Sequence, residues 1–200
     1  MSLIGDLYKI KKKDIKKAAN VLANAFSVDP MWKKIFKEED KYHVISEVIV
    51  KFSMKYGNVF SSSDNLEGVM AIMPYDIDMT VWRIIRSGGF FNSMKLIKLR
   101  KEMGQSANVI EEEKKNLDIG PYIYLPIIGV KQEFQGKGFG GKLLRAIVEK
   151  AEIERKPIYL ETQIESNVTL YEKYGFHVTK KIDLPEPLNL PMWLMVRDAK

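Results

Sequence analysis

The run Gln135-Gly136-Lys137-Gly138-Phe139-Gly140-Gly141-Lys142 carries the clearest chemical signal in the chain. Its glycines let the backbone come close to a ligand and adopt φ > 0. It stands between an apolar segment, Tyr122 to Val130, and an amphipathic one, Gly140 to Glu154. Where such a loop opens a helix, unpaired amides point outward at the positive end of the helix dipole, and they bind phosphate or diphosphate. The plain alternative is a mobile glycine-rich turn.

Two familiar phosphate loops fit poorly. A P-loop requires Gly-x-x-x-x-Gly-Lys followed by Ser or Thr. Gly136, Gly141 and Lys142 match, but Leu143 stands where the magnesium-binding hydroxyl belongs. The dinucleotide fingerprint Gly-x-Gly-x-x-Gly is met by Gly136, Gly138 and Gly141, with Glu161 as an acid about 20 residues further on. Against it, Lys131 to Gln135 separate the strand from the first glycine, and the chain after Glu161 is too short to complete a doubly wound sheet.

The elements that must hold this loop follow from periodicity and turn residues. A first strand is expected near Asp6 to Ile10. Ile15, Ala18, Ala19, Leu22 and Phe26 recur at helical spacing until Asp29-Pro30 breaks the run. Trp32, Ile35 and Phe36 suggest a short helix, and Val44 to Phe52 a longer one ending near Gly57. Strands are expected at Val59 to Ser61 and Leu66 to Met73, joined as a hairpin by Ser62-Ser63-Asp64-Asn65. Tyr122 to Val130 reads as a strand, Gly140 to Glu154 as a helix and Ile158 to Glu161 as a strand. Asn167 to Tyr174 reads as a helix closed by Gly175, and His177 to Leu184 and Pro191 to Arg197 as final strands. Pro74 to Gly120 is a long, mostly helical insertion with Trp82, Phe90 and Phe91 among its apolar residues. A connection that long is normally functional or a subdomain. Its aromatics either roof an acceptor site or pack the insertion onto the core.

The segment Val130 to Gly140 resembles the acyl-CoA loop of the GNAT superfamily of N-acetyltransferases, Gln/Arg-x-x-Gly-x-Gly/Ala. Tyr159-Leu160-Glu161-Thr162, Asn167 and Leu170-Tyr171-Glu172-Lys173-Tyr174-Gly175-Phe176 look like the second half of that core. Ala25-Phe26-x-x-Asp29-Pro30 is similar to the entry of a subgroup that acetylates small molecules, antibiotics among them. The resemblance implies one α/β domain over residues 1–200, with helices on both faces of a mixed, mostly antiparallel sheet whose central strands splay apart. Pro126, in the middle of an apolar strand, suits a broken ladder or a harmless bend.

The resemblance also implies the site. Acetyl-CoA would be held by the backbone of Ile128, Gly129 and Val130 and by Gln135, Gly136, Lys137, Gly138, Phe139, Gly140 and Gly141. Lys137 and Lys142 either add charge near the 3′-phosphate or are ordinary surface lysines. Many relatives carry asparagine where this chain has Ile164, so the contact passes to Asn167, whose other reading is a helix cap. Tyr171 takes the place of the general acid and adjoins the cofactor, unless it is only a core aromatic. Glu161 is a candidate base, with a structural hydrogen bond or a water chain as alternatives.

The chain has 200 residues, 46% hydrophobic and 29% charged, a globular balance for one domain. It contains no cysteine, which removes disulfides, zinc thiolates and a cysteine nucleophile, and points to direct transfer in a ternary complex. The net charge of +6 is lysine scattered along helices, with no nucleic-acid motif beside it. No metal-ligand spacing, secretory leader or membrane span is expected, and a cytoplasmic location is. The expected activity is N-acetylation of a primary amine on a small molecule. The alternatives are protein N-terminal or lysine acetylation, or a non-catalytic acyl-CoA-binding regulatory module. Expected partners are the amine acceptor and, as an option, a second copy of the chain; nucleic acid and membrane are not expected.

Overall fold

The computed structural model describes residues 3–36, 40–87 and 103–199. In chain order the elements are β1 (Tyr8–Lys9), α1 (Ile15–Ala25), α2 (Pro30–Ile35), α3 (Asp40–Tyr56), β2 (Asn58–Ser61) and β3 (Gly68–Pro74). Two helices of the long insertion follow, α4 (Val81–Arg86) and α5 (Gln105–Lys115). The second half comprises β4 (Ile123–Val130), α6 (Phe139–Glu154), β5 (Ile158–Thr162), α7 (Glu165–Glu172), β6 (His177–Leu184) and β7 (Leu190–Arg197).

The strands make one sheet in the order β1-β2-β3-β4-β5-β7-β6. Every neighbouring pair is antiparallel except β4 with β5. This is the mixed, mostly antiparallel sheet expected from the sequence, and it excludes a doubly wound dinucleotide fold. The helices divide between its faces. Ala18, Val21 and Leu22 of α1 pack on one side with Trp32, Ile45 and Phe52. Leu143, Leu144 and Ile147 of α6 pack on the other with Val168 and Tyr171 of α7.

Local chemistry sets the boundaries. Pro30 fills the first position of α2, and the Asp29 carboxylate caps that helix, accepting a 2.9 Å hydrogen bond from the Trp32 amide. β3 starts at Gly68 rather than Leu66 because Leu66 adopts φ 62, closing the hairpin turn with its side chain buried. α7 starts at Glu165, two residues before the expected Asn167.

Pro126 has a defined role in β4. Ala71 faces Ile127 and Met73 faces Tyr124, so two steps on β3 span three on β4. That is a bulge at Leu125-Pro126, where proline removes no ladder bond. The bulge also flips the strand's phase. Ile123 and Leu125 pack on the α6 side, whereas Ile127 packs on the α1 side.

The described part of the insertion carries α4 and α5 joined to the sheet by irregular segments. Ile84 of α4 packs into the α1–α3 core, and Met103 and Ile110 lean on that same core. Trp82 is 76% exposed, so it does not pack inward onto the core. Phe90 and Phe91 lie outside the described residues.

Candidate active site

β4 and β5 run side by side only where they begin. Ile123 pairs with Ile158 and Tyr124 with Tyr159, and beyond these the strands share no register, so they splay. The Lys131 amide donates to the Glu67 carbonyl (2.9 Å) on the β3 side. Backbone groups alternate in direction along a strand. The Ile128 and Val130 amides therefore point away from β3, into the gap. The Val130 carbonyl points the same way and accepts from Gln135 Nε2 (3.1 Å).

A cleft of about 780 Å³ opens at this gap. It brings together most of the residues expected from the sequence: Ile128, Gly129, Val130, Gln135, Gly136, Gly138, Phe139, Gly140, Gly141, Asn167 and Tyr171. Lys137 and Glu161 are not among its walls.

The loop is held open by its backbone. Gly136 and Gly138 take φ of 74° and 88°, which side chains disfavour. Gly138 is the N-cap of α6 and offers no side-chain cap. The Lys142 amide is bonded to the Gly138 carbonyl (2.9 Å), completing the first turn. The amides of Phe139, Gly140 and Gly141 precede any intrahelical acceptor and are left for a ligand. The loop is anchored to α1, since Asn24 Oδ1 accepts from the Gln132 amide at 2.8 Å. Gly129 serves packing: a Cβ there would lie 2.8 Å from Ala25 Cβ.

Neither loop lysine lines the cleft. Lys142 turns away and donates to the Ser62 carbonyl (2.6 Å). Lys137 is exposed, with its ammonium 5.5 Å from the Phe134 ring centre. The cation that does line the cleft is Arg145, whose Nη1 would lie 3.1 Å from a Cβ on Gly141. Its signal was a basic residue one helical turn past the last glycine. Phe26 and Tyr174, which stand in the motifs quoted above but carried no expected contact, also line the cleft.

Asn167 is not a cap. Ile164 holds that place, and the Asn167 amide group donates to Thr162 Oγ1 at 3.3 Å. Tyr171 is 8% exposed, with its ring 5.7 Å from that of Phe176. Burial pushes its phenol up to about 12, so it holds its proton at neutral pH.

Glu161 faces the opposite side of the sheet from Tyr171. Burial raises its carboxyl above the ordinary range, opposed by the Tyr124 and Tyr159 hydroxyls and by the charge of Lys114. The same burial lowers the Lys114 ammonium. Acid and base candidates thus flank the splayed strands from two sides. Among the described residues no group of three or more His, Asp or Glu could hold a metal, and no helix is long and apolar enough to cross a membrane.

Residues 103–178, which contain the glycine loop, Glu161, Asn167 and Tyr171, match the family described as the acetyltransferase (GNAT) domain. An uncharacterized N-acetyltransferase of Schizosaccharomyces pombe is 28% identical over 212 residues, spanning 96% of this chain and 83% of its own. The fold is shared with a protein of Corynebacterium glutamicum described as histone acetyltransferase HPA2 and related acetyltransferase. That match has a TM-score of 0.69 and 20% identity and covers 100% of this chain and 98% of that one. Arylalkylamine N-acetyltransferase 2 of Aedes aegypti matches with a TM-score of 0.60 and 17% identity, over 97% of this chain and 98% of its own.

Proposed function

We propose, on the premise that this acyltransferase carries a GNAT acetyltransferase domain, that it moves the acetyl group of acetyl-CoA to a primary amine of a small molecule by direct transfer in a ternary complex. The observation that carries this reading is the row of open amides at Phe139, Gly140 and Gly141, placed in one cleft with the free amides of Ile128 and Val130.

Those groups fit the cosubstrate. The helix-terminal amides suit a diphosphate, and Arg145 supplies the cleft's positive charge. The strand amides suit an extended amide chain and the carbonyl it carries. Bound acetyl-CoA supplies an activated acetyl thioester whose carbon accepts the amine and whose sulfur departs with the bonding electrons. An amide aimed at the carbonyl oxygen from Ile128 or Val130 stabilises the charge that develops there. Tyr171 gives its phenolic proton to the departing sulfur, and Glu161 accepts the proton that the amine must lose. The absence of cysteine from the chain supports a single transfer without an acyl-enzyme. Phe26 and Asp29 line the cleft, which supports the likeness to enzymes acting on small molecules.

Calorimetry with acetyl-CoA is expected to show one site per chain, and thiol release with an amine panel to give intersecting initial-rate plots. No heat of binding overturns the reading, and parallel plots overturn direct transfer.

A further inference from the structure

Four tyrosines form a chain of ring contacts beside Glu161. Tyr75 meets Tyr122 with centroids 5.6 Å apart, Tyr122 meets Tyr159 at 5.6 Å, and Tyr159 stacks on Tyr124 at 5.8 Å. The chain starts at the surface, where Tyr75 is 44% exposed, passes through Tyr159, which has no exposure, and ends at Tyr124. Tyr159 and Glu161 are two residues apart on β5 and so share a face. Glu161 Oε1 and the Tyr159 hydroxyl are buried without a hydrogen bond of good geometry among the described residues, the Tyr124 and Tyr159 hydroxyls standing only near enough to act on the carboxyl. A buried carboxylate oxygen left in that condition points to a missing donor.

One cation already stands here. Lys114, from α5 of the insertion, holds its Nζ 4.2 Å from the centre of the Tyr124 ring and 4.0 Å from Asp78 Oδ1, and its charge acts on Glu161.

We propose that this cluster of tyrosines around Glu161 is the acceptor's ammonium site, that Lys114 fills it in the free protein, and that the acceptor is therefore a primary alkylamine. The proposal rests on the transferase reading of the cleft and deepens it by naming the substrate class. A lysine side chain is a primary ammonium on an unbranched carbon chain, so a site that holds it by a ring face and a carboxylate is built for that class. A primary ammonium has three donors, enough to satisfy Glu161 Oε1 as well. An arylamine, uncharged near neutral pH, gains little from either group.

Position supports the assignment. Tyr124 and Tyr159 are the last paired residues before β4 and β5 part, so the cluster adjoins the apex of the gap. Lys114 is displaceable. The other carboxylates acting on it are Asp78 and Glu111, and Asp78, 46% exposed, lies where the lysine can follow it outward. Glu161 then receives the incoming ammonium and is the group placed to take its proton.

The test is calorimetric titration of 1,5-diaminopentane and of aniline into the CoA-saturated protein, in which no turnover occurs. The variants are Lys114→Met, Lys114→Gln (which keeps a polar group should the first fold poorly) and Glu161→Gln. Diaminopentane is expected to bind the unaltered protein, to bind either Lys114 variant at least threefold more tightly, and to bind Glu161→Gln at least tenfold more weakly. Aniline is expected to bind at least tenfold more weakly than the diamine, with no change on removing Lys114. Equal diamine affinity with and without Lys114, aniline binding as tight as the diamine, or no diamine binding at all overturns the proposal. The CoA titration that precedes each run separates the two readings. If CoA itself fails to bind, the transferase reading fails; if CoA binds and the diamine does not, only the ammonium site fails.

Discussion

A phenol held at about 12 keeps its proton until something basic appears beside it, and a departing thiolate is such a group. Tyr171→Phe keeps the ring packed on Phe176 and removes only the hydroxyl. It is expected to lower kcat roughly 100-fold, the low end for general acid catalysis, with acetyl-CoA affinity by calorimetry unchanged. In the proposed reaction Glu161 acts in the opposite sense. A base works when deprotonated, and burial raises this carboxyl, so kcat/KM is expected to climb with pH through a range above the ordinary carboxylate value. Glu161→Gln is expected to erase that limb of the pH–rate profile and leave the limb set by the acceptor amine. Arg145 lines the cleft beside Gly141. A charge-assisted contact contributes about 1.5–3 kcal/mol, so Arg145→Ala is expected to raise the KM for acetyl-CoA by roughly 10- to 100-fold with kcat little changed.

At the scale of elements, the loop and α6 act as one device. Gly138 combines an N-cap position with φ 88, and a Cβ there meets no atom within 4 Å, so its cost is conformational rather than steric. Gly138→Ala is expected to lower stability by about 1–2 kcal/mol, the cost of a left-handed residue other than glycine, and to weaken acetyl-CoA binding by misaiming the helix amides. Denaturant melts and calorimetry measure the two effects separately. The bulge at Pro126 has a comparable function in β4. It turns Ile127 toward α1 just past the point where β5 departs, so both halves of the strand stay packed while the gap opens.

The cleft draws its walls from both layers of the molecule: Phe26 and Asp29 from the α1 side, and Leu144 and Tyr171 from the α6 and α7 side. A ligand seated there joins elements that the splayed strands leave separate. Because it binds only the folded chain, a concentration 100-fold above its dissociation constant stabilises by about 2.7 kcal/mol. For a domain of this size that corresponds to a rise in Tm of roughly 5–10 °C. Thermal melts with acetyl-CoA are expected to show this shift, and Gly138→Ala melts at the same ligand concentration a smaller one.

The order of elements and the position of the phosphate-type loop were determined by the sequence, because periodicity, glycine and proline act over a few residues and carry their meaning locally. The anchor of that loop on Asn24, the cleft-facing Arg145 and the outward turn of Lys142 were not legible, since each depends on which way a helix face points once α1 and α6 have packed. The same holds for Glu161, whose partners Tyr124 and Lys114 lie 37 and 47 positions away in the chain. Only the tertiary structure could decide that this carboxylate faces away from Tyr171, because strand alternation fixes two faces without saying which helix covers each.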